Sequence, residues 1–200
     1  MTLPALAFIA ALKSQSSLTF VRHGETVANA TGRYNERTLN SFSEKGKQEV
    51  LDLTRTLLTS PRFDRILVSP SPRVLETIAP YLRATHQRAV IWPLLYECCT
   101  GRRPHNAHAT KFSYGERIAI PPDLTGLFTV EPGHDRYPIA PKYDQGLAQV
   151  DAALTEYRRS FGSGRVLLVG HSGQGGHFIH ALTGKWIKLE NAKETVVPVH

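Results

Sequence analysis

The sequence predicts an α/β fold built on a largely parallel sheet, and two patterns lead there. Short apolar runs alternate with longer stretches whose apolar residues recur at helical spacing, which is the order of βαβ units. The loops that follow those runs carry histidine, arginine and glutamate, the side chains expected where strands leave a sheet and meet a ligand.

The first strand is Thr19 to Val21. A helix follows over Ser43 to Ser60, because Val50, Leu53, Leu57 and Leu58 share one face and Ser43 is a suitable N-cap. Ile66 to Val68 is the second strand, and Pro72 to Thr85 the second helix, with Pro72 in the first turn where a missing N–H does no harm. Ala89 to Trp92 reads as a strand, Tyr143 to Phe161 as a helix with Leu147, Val150, Leu154 and Tyr157 in one stripe, and Val166 to Val169 as a fourth strand. A last helix is expected over Gly173 to Leu182, and Thr195 to Val199 as an edge strand. Between the third strand and the third helix, periodicity is weak and turns recur at Pro121-Pro122 and Glu131-Pro132-Gly133. Residues 98–141 therefore read as an irregular insertion folded over the functional face.

A chain of 200 residues suits one core, so residues 1–200 are taken as one domain. Its 41% hydrophobic and 20% charged residues agree with a soluble globular protein. The 24 basic against 17 acidic residues give a net charge of +7, which an anionic small substrate accounts for. Nucleic acid is not expected as a partner: the basic residues are scattered, with short pairs only at Arg102-Arg103 and Arg158-Arg159. The two cysteines, Cys98 and Cys99, are adjacent and cannot form a disulfide framework, which points to a reduced, cytoplasmic setting. Leu3 to Leu12 is apolar but lacks the basic start of a signal peptide, and is expected to pack on the body as an extension. No run reaches the roughly 18 apolar residues of a membrane span. Oligomeric state is not legible.

The most informative segment is Arg22-His23-Gly24-Glu25-Thr26, directly after the first strand. A strand end holds an imidazole rigidly, an adjacent guanidinium forks onto phosphate oxygens, and Gly24 lets backbone approach closely. Arg73 lies just past the second strand within Val68-Ser69-Pro70-Ser71-Pro72-Arg73, Glu97 follows the third, and the fourth runs into Gly170-His171-Ser172-Gly173. These segments in this order resemble the histidine phosphatase superfamily, whose best known branch is the cofactor-dependent phosphoglycerate mutases. The resemblance runs from about Leu18 to Val197. It includes Asn29, the loop Gly32-Arg33-Tyr34-Asn35, and Ser43 to Glu49 at the start of the first long helix.

The resemblance implies a phosphoglycerate mutase-like, three-layer αβα sandwich around a mostly parallel central sheet. It further implies a metal-independent phosphomonoester hydrolase with no cofactor, acting on a phosphorylated small molecule. His23 would be the nucleophile that forms a phosphohistidine, Arg22 and Arg73 would hold the non-bridging oxygens, and His171 would donate to a phosphoryl oxygen. Glu97 would be the general acid. Asn29, Arg33, Asn35 and Ser172 would complete the phosphate or substrate pocket. Asp123, Glu131 or Asp135 are alternative acids, although Ser172, standing where the acid phosphatase branch has an aspartate, favours Glu97.

Three departures stand out: Ala28 where tryptophan is common, Gly-His-Ser-Gly in place of Ser-His-Gly-Gly, and Cys98-Cys99 after Glu97. The last tilts the reading from mutase to phosphatase. A phosphoglycerate-type phosphomutase and a non-catalytic phosphate-binding protein of the same fold are the alternatives. An α/β-hydrolase elbow at Gly170 fails because Gln174 stands in place of the second required glycine. The pairs His105/His108 and His177/His180 have spacings that metals use, but no convincing third ligand lies near either. Arg102, Arg103 and Lys111 either read a second anionic group or lie on a solvated loop. The cysteines read as packing residues.

Overall fold

The computed structural model describes residues 16–101 and 103–198. The first strand, β1, spans Ser17–Arg22, followed by two short helices, α1 (Val27–Thr31) and α2 (Glu36–Asn40), and by the long α3 (Glu44–Thr59). Then come β2 (Arg65–Val68), α4 (Pro72–Thr85), β3 (Ala89–Ile91), β4 (Ser113–Arg117), β5 (Phe128–Val130) and β6 (Arg136–Ile139). The chain closes with α5 (Tyr143–Glu156), β7 (Arg165–Gly170), α6 (Ser172–Thr183) and β8 (Glu194–Val197). Six strands form the central sheet in the order β5-β3-β2-β7-β1-β8. All its pairings are parallel except β8, which runs antiparallel along β1.

Because side chains alternate across a strand, the sheet feeds two separate cores. Val21, Ile66, Val68, Leu167 and Val169 point to one face and meet Leu53 and Leu57 of α3 and Val74, Leu75, Ile78 and Leu82 of α4. Leu18, Phe20, Leu67, Val166 and Leu168 point to the other and meet Val150 and Ala153 of α5 and Phe178 and Ile179 of α6. The result is the expected three-layer sandwich. Each fully buried leucine or phenylalanine contributes roughly 1.5–3 kcal/mol, so truncating one such as Leu167 would cost about 2–5 kcal/mol.

The expected helices lie where their periodicity placed them. Ser43 caps α3, its Oγ accepting from the Gly46 amide at 3.0 Å. Beyond Glu156 the helical path continues through a wider turn, Tyr157–Phe161, which buries Tyr157 and Phe161. Residues 98–141, however, are more ordered than an irregular insertion. Phe128–Val130 pairs in parallel with β3 and extends the central sheet, with Phe128 and Leu124 in the core. β4 and β6 make a separate antiparallel ribbon. Three-residue strands flanked by Pro and Gly carry too little periodicity to stand out, and their burial comes from partners far away in sequence. The apolar stretch Leu3 to Leu12, Arg102 and the end of the last expected strand lie outside the described residues. Among the described residues no helix is long and apolar enough to cross a membrane.

Two glycines let the first loop pack against α3. A Cβ on Gly46 would lie 1.9 Å from the Glu25 carbonyl oxygen, and one on Gly24 would lie 2.8 Å from Val50 Cγ2. The loop is then tied to α3 through polar groups. The Glu25 amide donates to Glu49 Oε2 at 2.9 Å, and the Glu25 carboxylate accepts from Ser43 Oγ and Lys45 Nζ.

Candidate active site

The carboxyl ends of β1, β2 and β7 lie side by side, the His23 amide donating to the Gly170 carbonyl and the Ser69 amide to the Val169 carbonyl, each at 3.0 Å. That alignment brings together residues far apart in sequence at the place where open α/β sheets bind ligands. A cleft of about 520 Å³ opens there, lined by Arg22, His23, Thr26, Asn29, Tyr34, Leu39, Arg73, Glu97, Thr100 and Ser172.

His23 is 4% exposed, and its Nδ1 lies 2.8 Å from the Gly24 carbonyl oxygen. A carbonyl can only accept, so Nδ1 carries the proton and Nε2 presents its lone pair. Arg73 Nε donates to that Nε2 at 3.3 Å. Burial, with the charge of Arg73, lowers the His23 pKa to about 3. The ring is therefore neutral throughout the physiological range.

Arg73 spans the site. Its Nη2 lies 3.2 Å from His171 Nδ1 and its Nη1 3.4 Å from Asn40 Oδ1. His171, fully buried, has its Nε2 2.8 Å from Ser69 Oγ and 3.2 Å from Ser71 Oγ. Burial, then Arg73 and His23, hold its pKa well below the ordinary histidine value. Because a guanidinium only donates, His171 Nδ1 accepts here and Nε2 carries the proton. The resemblance implies a ring that donates to a phosphoryl oxygen; here the nitrogen facing Arg73 accepts, and the hydroxyls of Ser69 and Ser71 are compatible with either tautomer.

Arg22 leaves the end of β1 and donates through Nη1 to the Leu189 carbonyl at 3.3 Å. Glu97 Oε1 accepts from the amides of Gln174 at 2.9 Å and Cys98 at 3.2 Å, so the carboxylate satisfies an otherwise open N–H in the first turn of α6. Burial pushes its pKa up, against the pull of those amides and of Arg73. The carboxyl thereby favours holding a proton more than an exposed glutamate does. Ser172 is exposed at the start of α6 and lines the cleft.

The structure does not bring all the expected residues together. Asn29 lines the cleft, but its Oδ1 is committed to the Thr26 amide at 3.2 Å, leaving the amide NH₂ as what it can offer. Asn35 is an exposed N-cap of α2, its Oδ1 accepting from the Thr38 amide at 2.9 Å, and it does not line the cleft. Arg33 is exposed and also lies outside the lining, while the intervening Tyr34 is inside it. The Gly32 turn at φ 70° and the two capping boxes set this alternation. Of the alternative acids, Glu131 faces His134 and Asp135 faces Arg117, and none of Asp123, Glu131 or Asp135 lines the cleft.

Arg103 lines a different hollow with His108, His177 and Trp186, and Lys111 another with Lys142. Both ring nitrogens of His177 are engaged, by Tyr143 Oη at 2.6 Å and the Gly173 carbonyl at 2.8 Å, and His180 stacks on Trp186. Cys98 and Cys99 are buried against Gly146, and their mutual contact together with burial pushes the Cys98 thiol far up, as suits packing residues. Sequence reasoning missed Asn40, Ser69, Ser71 and Asn191. The two serines were visible inside the Arg73 motif, whereas nothing local marks Asn191, whose Nδ2 donates to the His23 carbonyl at 2.8 Å.

The family model described as histidine phosphatase superfamily (branch 1) matches residues 18–198. The chain belongs to that superfamily. Several solved structures share its fold. An α-ribazole phosphatase from Shigella flexneri is 18% identical at a TM-score of 0.62, covering 92% of this chain and 91% of its own. A mycobacterial glucosyl-3-phosphoglycerate phosphatase complexed with VO3 is 17% identical at a TM-score of 0.59, covering 91% and 90%. A mutant phosphoserine phosphatase from Entamoeba histolytica in complex with phosphoserine is 14% identical at a TM-score of 0.55, covering 91% and 90%. At such identities the likeness is one of fold. No curated protein sequence matches the chain at a significant level.

Proposed function

We propose that this chain is a metal-independent phosphomonoester hydrolase that works through a phosphohistidine on His23 Nε2. The observation that carries the reading is the Nδ1–H of His23 on the Gly24 carbonyl, which leaves a neutral ring with its lone pair beside Arg73. Phosphatases among the proteins of similar fold, and a superfamily named for the same chemistry, support it.

In this reading Nε2 attacks phosphorus as the bond to the substrate's alkoxide oxygen breaks, and Glu97 gives that oxygen its proton. Arg22 and Arg73 move their N–H donors onto the non-bridging oxygens, whose charge persists through a loose, in-line transition state. Water then attacks the phosphohistidine, Glu97 takes a proton from it, the N–P bond breaks, and His23 returns to its neutral form.

The test is phosphate release from a panel of phosphomonoesters in the presence of a metal chelator, for native chain, His23→Ala and Glu97→Gln. Native turnover that His23→Ala abolishes, with an acid-labile phosphoenzyme on the native chain alone, is the expected result. Transfer of the group to a second alcohol in preference to water would replace hydrolase by mutase, and unchanged turnover in His23→Ala would sink the nucleophile assignment. Because burial raises the Glu97 pKa, the acid form persists to higher pH than usual, and kcat/KM falls as pH rises through that value. Glu97→Gln should lose about 10²–10⁴ in rate and flatten the alkaline limb.

A further inference from the structure

Beside the catalytic cleft lies a second one, of about 580 Å³, lined by Tyr96, Glu97, Glu116, Tyr137 and the segment Pro138 to Pro141. Glu97 belongs to both, so whatever receives a proton from Glu97 extends into this space. Its walls are aromatic and aliphatic. Tyr96 and Tyr137 meet edge to face with centroids 5.2 Å apart, and Tyr96 in turn contacts the His171 ring at 6.2 Å. Tyr137 Oη donates to the Pro70 carbonyl at 3.3 Å, which ties the β4–β6 ribbon to the loop holding Ser69 and Ser71.

The charges of this cleft are of one sign. Its ionisable carboxyls are Glu97 and Glu116, and among the described residues no lysine or arginine lines it. Of the cations next to the lining in sequence, Arg117 pairs with Asp135, Arg136 donates to the Gly115 carbonyl, and Lys142 lines a separate hollow with Lys111. Burial raises the Tyr137 phenol pKa, and Tyr96 and Glu116 raise it further, which places the Glu116 carboxylate close enough to be felt at the ring. The phosphate half of the site, with Arg22 and Arg73, is cationic, and the adjoining half is apolar and anionic.

We infer that this second cleft seats the alcohol portion of the substrate and selects a flat ring, uncharged or cationic, over any group bearing a second carboxylate or phosphate. Glu116 is the specificity-determining residue, and Tyr96 and Tyr137 supply the aromatic wall. The inference rests on the phosphomonoesterase reading above. It makes doubly anionic substrates such as phosphoglycerates poor ones for this chain, since a second anion would sit against Glu116 without a counter-ion.

Three probes of equal leaving-group chemistry test it: benzyl phosphate, 4-aminomethylbenzyl phosphate and 4-carboxybenzyl phosphate. Phosphate release gives kcat/KM, and calorimetry with the His23→Ala chain gives Kd independently of turnover. We expect the cationic and neutral probes to exceed the anionic one by about tenfold in both readouts, as for one nearby, partly screened charge. Glu116→Lys, an exposed substitution, should erase or invert that order, and Tyr137→Ala should weaken all three probes alike. An order that Glu116→Lys leaves unchanged, or an anionic probe preferred by the native chain, overturns the inference. Binding in the expected order without turnover sinks the hydrolase reading and keeps the charge selection. Turnover with no charge order does the reverse.

Discussion

His23 and His171 face each other with ring centroids 5.3 Å apart, both buried, both neutral and both touched by Arg73. What differs is the group behind each ring. A backbone carbonyl stands behind His23, and a carbonyl accepts and never donates, so the tautomer is fixed and Nε2 is always the open nitrogen. Behind His171 stand two serine hydroxyls, which both donate and accept. His171 can therefore donate its Nε2–H in a hydrogen bond to Ser69 while Nδ1 accepts from Arg73, or, as the other tautomer, accept the Ser69 hydroxyl at Nε2 and carry Nδ1–H, which in the proposed mechanism would face a phosphoryl oxygen. A nucleophile needs one protonation state held fixed, whereas a group that meets successive phosphoryl species needs two of similar energy.

The largest effect that could break this comparison is the removal of each ring. His23→Ala should cost on the order of 10⁴ or more in turnover and leave no phosphoenzyme. His171→Ala should cost about 10²–10³ and still show labelling, because in the proposed mechanism it stabilises charge without forming the bond. Equal losses with equal loss of labelling would make the two rings one unit.

Next in size is acid stability. The folded-state pKa of His23 is about 3 against 6.5 for a free histidine, and that of His171 is also well below 6.5. Between those values the unfolded chain binds more protons, so stability is fully present above about 6.5 and is lost as pH falls toward 3. His23 contributes a slope of about 1.4 kcal/mol per pH unit within that window, and His171 acts in the same direction. Urea midpoints between pH 4 and 7 should accordingly vary less steeply for His23→Gln than for the native chain. An identical slope would mean that the ring is not buried neutral.

The smallest effects come from cutting what lies behind each ring. Ser69→Ala and Asn191→Ala should each cost roughly three- to tenfold, the value of about one hydrogen bond. Ser69→Ala, with Ser71 as the remaining partner, should alter the pH profile of kcat/KM because it biases the His171 tautomer. Asn191→Ala moves the backbone of His23 and should lower kcat with the profile unchanged. A profile that moves in neither variant would reduce Ser69 to packing.

Much of this arrangement was legible in the sequence, and what was legible shared a physical cause. The four long helices and the strands over Thr19, Ile66 and Val166 repeat an apolar pattern long enough to be read locally, and Arg22, His23, Arg73, Glu97 and His171 follow strand ends. What was not legible depends on distant partners. β5 is a strand because β3 offers it an edge, and its three residues announce nothing by themselves. Arg33 and Asn35 were expected in the pocket, but between the Gly32 turn and the cap of α2 it is Tyr34, itself largely exposed, that borders the cleft in their place. Asn191 lies in an irregular stretch whose only signal is three-dimensional.

That last residue has a consequence for biosynthesis. The Asn191 to His23 hydrogen bond joins positions 168 apart, and β8 completes the sheet beside β1. The Arg22-His23-Gly24 segment is therefore synthesised well before Asn191 and β8, the partners that complete its restraint. Folding of such non-local pairings is slow, and the surroundings of His23 are complete only once Asn191 and β8 have been made.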